Sequence, residues 1–466
     1  DRLRPHAQAN AVLLMNGTDH SDADPHVPEA IARANEAFSD VEIEHGTLGD
    51  YVAHVRAEAG LRLPAFQGEF NRSRYAFGLQ GVYSSRSYLN QANERAQTLL
   101  ECYAEPLSAW AWLLGNDYPG ALLELAWRKL LQNHPHDDIC GCSADAVHRQ
   151  NMVGFEEVEQ IGQTLARDAF RALMRRIDRT AQPGVPFVLF NPTAWPRTGT
   201  EVVELPFEGG DELAAGGAGF HLVDAAGRHV PCQLLERFHR FEAEVSKNTD
   251  LQVVRAALSV QDLPSCGYRV YYAQPGPAPA APDLEHPVEV FRNGMENRHL
   301  RVEIGADGTL ALLDKGTGSK FESLGYFVDD EDAGDTYDYA PCPHPEQATT
   351  RGQPAEIRLL HAGPLLASYE IVHHLALPAA LSEDRQRRSS QRLAHRLVAT
   401  VTLGRDSRGV DLGITVDNRA RDHRLRICFP TDLQTRIAHA GGHFGAVARS
   451  IDPPEGRDWD QPPVPT

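Results

Sequence analysis

The stretch AQPGVPFVLFNPTAWPR, Ala181 to Arg197, decides how this chain is organised. AQPGVP (Ala181 to Pro186) is a cluster of helix breakers, and FVLF (Phe187 to Phe190) opens the first of many short apolar runs. Before it, apolar residues recur at helical spacing; after it, they alternate. The boundary therefore separates a mainly helical part from a mainly β part.

Upstream, Pro28 stands where a first helical turn tolerates proline, followed by EAIARANEAF. Leu89 to Leu114 is rich in Ala, Leu, Glu and Gln, and Tyr118 to Leu131 is a second helical candidate. Val158, Ile161, Leu165, Leu173 and Ile177 form a 3.6-residue stripe that predicts a long helix through Arg176. Short links between such helices predict antiparallel neighbours in a helical bundle over 25–180. Downstream, TEVVELPF (Thr200 to Phe207), YRVYY (Tyr268 to Tyr272), SYEIVHHLAL (Ser368 to Leu377) and LVATVTL (Leu397 to Leu403) alternate between turn residues. That pattern predicts antiparallel β-sandwiches. QPGPAPAAP (Gln274 to Pro282) reads as a linker, giving a small β-sandwich domain at 181–278 and a large one at 279–466. At the other end, AVLLM (Ala11 to Met15) followed by NGTDH reads as a buried strand running into a turn. A lone buried strand cannot satisfy its backbone, so 1–24 is expected to be the end of an α/β domain.

Bulk properties narrow the function classes. The chain has 466 residues, enough for about three domains. Hydrophobic residues make up 42% and charged residues 23%, as in ordinary globular proteins. No apolar run reaches the ~18 residues of a membrane span. The formal net charge of −19 disfavours nucleic acid and anionic membranes as partners, since both call for basic surfaces. Seven sparse cysteines argue against a disulfide scaffold and for a reducing, cytoplasmic compartment.

The densest chemistry lies in NHPHDDICGCS, Asn133 to Ser143. Two His, two Asp and two Cys fall between two helix candidates, where functional side chains are commonly held. His134 and His136 flank Pro135 and share a side if the segment is extended, and Ser143 suits the N-cap of the next helix. Imidazole with carboxylate suits zinc. A closed zinc site from His134, His136, Cys140 and Cys142 is one alternative. Another is a set of helix caps and ion pairs with Arg128 or Arg149.

HPHDDICGCS resembles the His-Asp motif of glycoside hydrolase family 38, the zinc-dependent retaining α-mannosidases. LLMNGTDH (Leu13 to His20) resembles the end of that family's catalytic α/β domain, and GVYSSRSYLNQANERAQ (Gly81 to Gln97) the opening of its three-helix region. FVLFNPTAWPR resembles the entry to its β domains. GMENRHLRVEIGADGTLALLDKGTG (Gly294 to Gly318), DEDAGDTYDYAP (Asp330 to Pro341) and VDNRARDHRLRICFPTDL (Val416 to Leu433) resemble its large β-sandwich. The likeness runs over nearly the whole chain. It implies an α+β multidomain fold: the end of an α/β barrel-like domain, a three-helix bundle, then antiparallel β-sandwich domains.

The resemblance also assigns residues. His136 matches a ligand of the family's single zinc ion, and Asp137 a residue that bonds a sugar hydroxyl or orients the metal shell. Asp19, in Gly17-Thr18-Asp19, matches the general acid/base. Tyr337 matches an aromatic residue reaching into the site, with Tyr339 second. Retaining hydrolysis needs two carboxyl groups about 5 Å apart, one with a raised pKa. The apolar Val12 to Met15 would supply that setting for Asp19. The nucleophile and the remaining zinc ligands match nothing here, so the resemblance implies an internal stretch lacking most of the catalytic α/β domain. The intact protein is expected to hydrolyse terminal α-mannosidic bonds with retention, and the isolated stretch to be inactive. The α-mannoside is the expected partner, with a homo-oligomer compatible. Sugar binding without hydrolysis, or a structural zinc protein, are the alternatives. Ser85 and Arg86 read as a helix start with an ion-paired Arg, and Asn418 to Arg424 as turn and inter-domain hydrogen bonds. The sequons at Asn16 and Asn71 read as chance.

Overall fold

The computed structural model describes residues 3–7, 9–58, 65, 78–208, 219–243, 248–276, 284–442 and 445–452. The sequon at Asn71, the linker from residue 277 and the end of the chain from residue 453 lie outside these. The chain divides into two compact units, Asp1–Arg72 with Arg436–Asp452, and the remainder.

The first unit holds helices α1 (Val27–Ala37) and α2 (Leu48–Ala57) and a hairpin of Ile437–Gly442 with Gly445–Ser450. Pro28 stands in the first turn of α1, as its fixed φ favours. Helix α2 starts with a capping box: the Asp50 amide donates to Thr47 Oγ1, and the Thr47 amide donates back to the Asp50 carboxylate. The strand expected at Ala11 to Met15 does not form. Its only pairing among the described residues is an isolated bridge between Ala9 and Ala11, and Leu14 and Met15 are 65% and 74% exposed. A strand exists only against a neighbour, and among the described residues none is offered to this run.

In the second unit, α3 (Ser87–Thr98), a widened π turn (Leu99–Ala104) and α4 (Glu105–Leu113) follow without a break. Pro106 explains the widening: it has no amide to donate backwards and its ring crowds the preceding turn. Helices α5 (Gly120–Gln132), α6 (His136–Ile139) and α7 (Asp145–Met174) follow. Leu89, Ala96, Leu100, Leu123, Leu130 and Phe155 bury in one core with Ala92, Ala126 and Val158. The alanines let the helices approach closely. A Cβ on Gly162 of α7 would stand 2.8 Å from Leu99. Helix α7 stops at Met174, short of the expected Arg176, so Ile177 leaves the stripe. Its N-cap is Ala144, not Ser143, whose amide instead closes the preceding loop on the Asp137 carbonyl.

The aromatic ring of Phe190 packs on Trp110 of α4 and Phe170 of α7, tying the helices to the first strand of the β region. There, a four-stranded antiparallel sheet and a three-stranded one share a core of Phe207, Leu222, Leu258 and Tyr271. Beyond them, a five-stranded and a four-stranded sheet share Met295, Val302, Ile371 and Val401. The buried amide of Gln233 stitches the two β regions together. Its Oε1 accepts from the Leu365 and Leu366 amides at 3.1 and 3.0 Å, and its Nε2 donates to the Leu366 carbonyl at 2.9 Å.

A further strand, Tyr326–Glu331, pairs with His423–Cys428 and buries three consecutive acids, Asp329, Asp330 and Glu331. Each is matched. Asp329 accepts from Arg388 and His423, Asp330 from Gln347, Arg424 and Arg426, and Glu331 from the Glu346 amide. The expected hydrogen-bonding role of the Asn418 to Arg424 run lies partly here, since His423 also bonds Asn418. This strand feeds the loop that carries Tyr337.

Candidate functional site

Proline sets the first element of the site. Pro135 cannot continue α5, and from it the chain turns into the single turn of α6, with the Asp138 and Ile139 amides donating to the Pro135 carbonyl. His134 and His136 therefore do not share a side. His134 turns inward, its Nε2 2.7 Å from Asn93 Oδ1, and burial lowers its pKa. The His136 side chain is 92% exposed, its Nε2 3.7 Å from Asp137 Oδ1. Gly141, at φ +73°, then reverses the chain so that the Cys142 and Ser143 amides both donate to the Asp137 carbonyl. The Cys142 thiol also donates to Asp137 Oδ1 at 3.4 Å.

The second element is the loop Asp332 to Pro341. Asp332 Oδ1 accepts from the Gly334 and Ala340 amides, and Asp335 Oδ1 from those of Tyr337 and Asp338. Arg385 donates to the carbonyls of Ala333 and Gly334. Carboxylates and a guanidinium thus reinforce the loop's own backbone bonds, Ala333 amide to Ala340 carbonyl and Asp335 amide to Asp338 carbonyl. Tyr337 emerges half-exposed, near enough to Cys142 for each to shift the other's pKa. The charge and hydrogen bonding of Cys142 push the Tyr337 phenol above its usual value. Burial, then the Asp137 carboxylate, push the Cys142 thiol up. Tyr339 is otherwise engaged, with the Arg424 guanidinium 3.6 Å above its ring.

Asp137 and Tyr337 are thus brought together, with His136 beside them. Cys142, which joins the two, was not singled out from the sequence as a contact; its link to Tyr337 spans distant segments and has no local signal. Asp19 belongs to the first unit, exposed in a turn just after Gly17, itself at φ +127°. The apolar surround expected for it does not form from Val12, Leu14 and Met15, all of which are exposed.

No group of three or more His, Cys, Asp or Glu among the described residues is placed to hold a metal. The closed site of His134, His136, Cys140 and Cys142 is therefore not formed. Nor does the alternative ion pair with Arg128, which bonds Glu124 instead. His136 and Asp137 offer one exposed imidazole and one carboxylate, whereas a catalytic zinc takes about three protein ligands. They fit one part of such a shell and need further donors to complete it. All seven cysteines are free thiols. No helix among the described residues is long and apolar enough to cross a membrane.

Two family profiles match this chain: "Alpha mannosidase middle domain" over residues 79–173 and "Glycosyl hydrolases family 38 C-terminal domain" over 295–466. A Halalkalibacterium halodurans protein named "Putative mannosylglycerate hydrolase" is 29% identical over 98% of this chain and 54% of its own length. Human alpha-mannosidase 2C1 is 31% identical over 28% of this chain and 12% of its own. The crystal structure of an alpha-mannosidase from Enterococcus faecalis matches with a TM-score of 0.81 and 31% identity, over 99% of this chain and 56% of that one. The chain spans about half the length of the bacterial relatives it matches.

Proposed function

The chain belongs to glycoside hydrolase family 38, and on that premise we propose that it contributes to a zinc-dependent, retaining α-mannosidase-type hydrolase. The observation that carries this reading is the meeting of Asp137 and Tyr337, from distant segments, beside an exposed His136. His136 supplies one metal ligand. A zinc ion held there would supply Lewis-acid stabilisation of the charge that develops as the glycosidic bond loosens.

The remaining roles belong to the chain's own groups. Asp137 accepts a hydrogen bond from a sugar hydroxyl, held in place by Cys142 and by its own carbonyl, which caps the loop. Tyr337 presents a ring face and a hydroxyl to the sugar. Asp19 protonates the leaving oxygen while a second carboxylate, for which no residue here is assigned, takes up the glycosyl group, and Asp19 then deprotonates the water that releases it. The substrate is a terminal α-mannoside, and mannosylglycerate is one to assay, from the name of the H. halodurans relative.

The test uses the intact protein with an aryl α-mannoside. Chelation should abolish hydrolysis. Asp19→Asn should lower turnover with zinc content unchanged, and His136→Ala should release the metal. Activity that survives chelation would refute the metal role, and wild-type turnover in Asp19→Asn would remove Asp19 from the reaction.

A further inference from the structure

One short segment touches both loops of the site. The Gly81 amide donates to the Tyr337 carbonyl at 2.7 Å, and a Cβ on Gly81 would stand 2.6 Å from that oxygen. Ser85 Oγ donates to the Thr336 carbonyl at 3.3 Å. The Arg86 guanidinium turns the other way, donating to the Gly141 carbonyl at 2.5 Å and to the Asp145 carboxylate at 2.7 Å. Contact there is close as well, since a Cβ on Gly141 would lie 3.1 Å from Arg86 Cβ and 3.2 Å from the Ser85 carbonyl. Two glycines, one per interface, allow this approach. Arg86 itself has φ +45°, a cost a non-glycine residue bears only where its surroundings fix it.

We propose that Gly81, Ser85 and Arg86 are positioning residues that clamp the Tyr337 loop and the His136–Asp137 loop into one relative geometry. None of them needs to touch the sugar. Each loop carries its own internal hydrogen bonds, so each holds its shape alone. What neither loop supplies is its placement against the other, and the Tyr337–Cys142–Asp137 contact depends on that placement. The functional meaning rests on the α-mannosidase reading; the geometry does not.

The test reads the geometry first, in this chain. Cys142 bonds Asp137 Oδ1 and lies near enough to Tyr337 to feel its hydroxyl, so its alkylation by iodoacetamide, followed by peptide mapping, reports whether the loops still meet. Gly81→Ala displaces only the Tyr337 side and Arg86→Gln only the Gly141 side. Each should raise Cys142 labelling about tenfold, the scale of a locally opened segment. Ser85→Ala, the mildest variant, serves if Gly81→Ala does not fold. Leu123→Ala, in the helical core away from both loops, is the control and should leave labelling unchanged. Rates within twofold of native in the folded variants would overturn the clamp. So would an equal rise in Leu123→Ala, which would trace the effect to general loosening. In the intact protein, Gly81→Ala should lower kcat/KM by ~100-fold, as an ångström-scale misplacement does. Raised labelling in a protein with no mannosidase activity would leave the clamp standing and refute the proposed reaction.

Discussion

Replacing Asp329 by Ala removes a carboxylate that is completely buried and bonded to two basic groups, Arg388 at 2% exposure and His423 at 5%. Neither partner can recover water without opening the structure. Among the described residues Arg388 keeps two long contacts, to the carbonyls of Asp329 and Glu346, both at 3.4 Å. The loss is therefore that of breaking a buried pair from one side, about 3–5 kcal/mol. It greatly exceeds that of an exposed pair such as Arg33 with Glu29, about 0.3–0.5 kcal/mol. Urea unfolding of Asp329→Ala beside Glu29→Ala measures both on one scale. Asp329→Asn keeps the shape and one acceptor and should fall between them. A loss under about 1 kcal/mol in Asp329→Ala would refute the argument that this cluster is desolvated and mutually dependent.

Other outcomes follow from the same reasoning. Burial alone would raise the Asp330 pKa, but hydrogen bonds and charge from Gln347, Arg426 and Arg424 outweigh it and leave it lowered. Its contribution to stability is thus present above the unfolded value of about 3.9 and is lost as pH falls through the lower folded value. Asp330→Asn should flatten that part of the acid-unfolding profile; an unchanged profile contradicts the assignment. Gly141→Ala forces a Cβ into a φ of +73° and should cost about 1–2 kcal/mol by thermal unfolding. Phe155→Ala opens the helical core and should cost about 3–5 kcal/mol in the same assay.

The parts of the fold legible in the sequence are those where local residue preference decides the structure. SYEIVHHLAL gives the strand Leu366–Pro378 because its β-branched and aromatic residues suit extended backbone, although the first half is buried on both faces and not on alternate residues. Pro28 marks the start of α1 because its fixed φ suits a first turn. AVLLM fails, since an apolar run is a strand only when a neighbour completes it. Ser143 falls outside the cap: its amide closes the loop on the Asp137 carbonyl after the reversal at Gly141, and α7 begins at Asp145 with Ala144 at the N-cap. The site is less legible still. His136, Asp137 and Tyr337 are assigned by the family resemblance alone, since no spacing relates position 137 to 337. Arg86 showed as an ion-paired Arg at a helix start. Its grip on Gly141 was hidden, because the partner is a backbone carbonyl on another element.

The three hydrogen bonds of Gln233 bear on how this architecture can vary. They fix where the second β region sits on the first by borrowing a side chain as a surrogate strand. A Cβ on Gly363 would fall 2.2 Å from that side chain, so the glycine keeps the berth open. Mutual orientation is thereby separated from the covalent connection. Insertions in the Pro/Ala segment should be tolerated so long as Gln233 and Gly363 persist, whereas exchanging either should loosen the seam and leave it to the packing of Ala257 on Leu365 and Leu366 and the bonds Thr200–Leu365 and Arg405–Ser259.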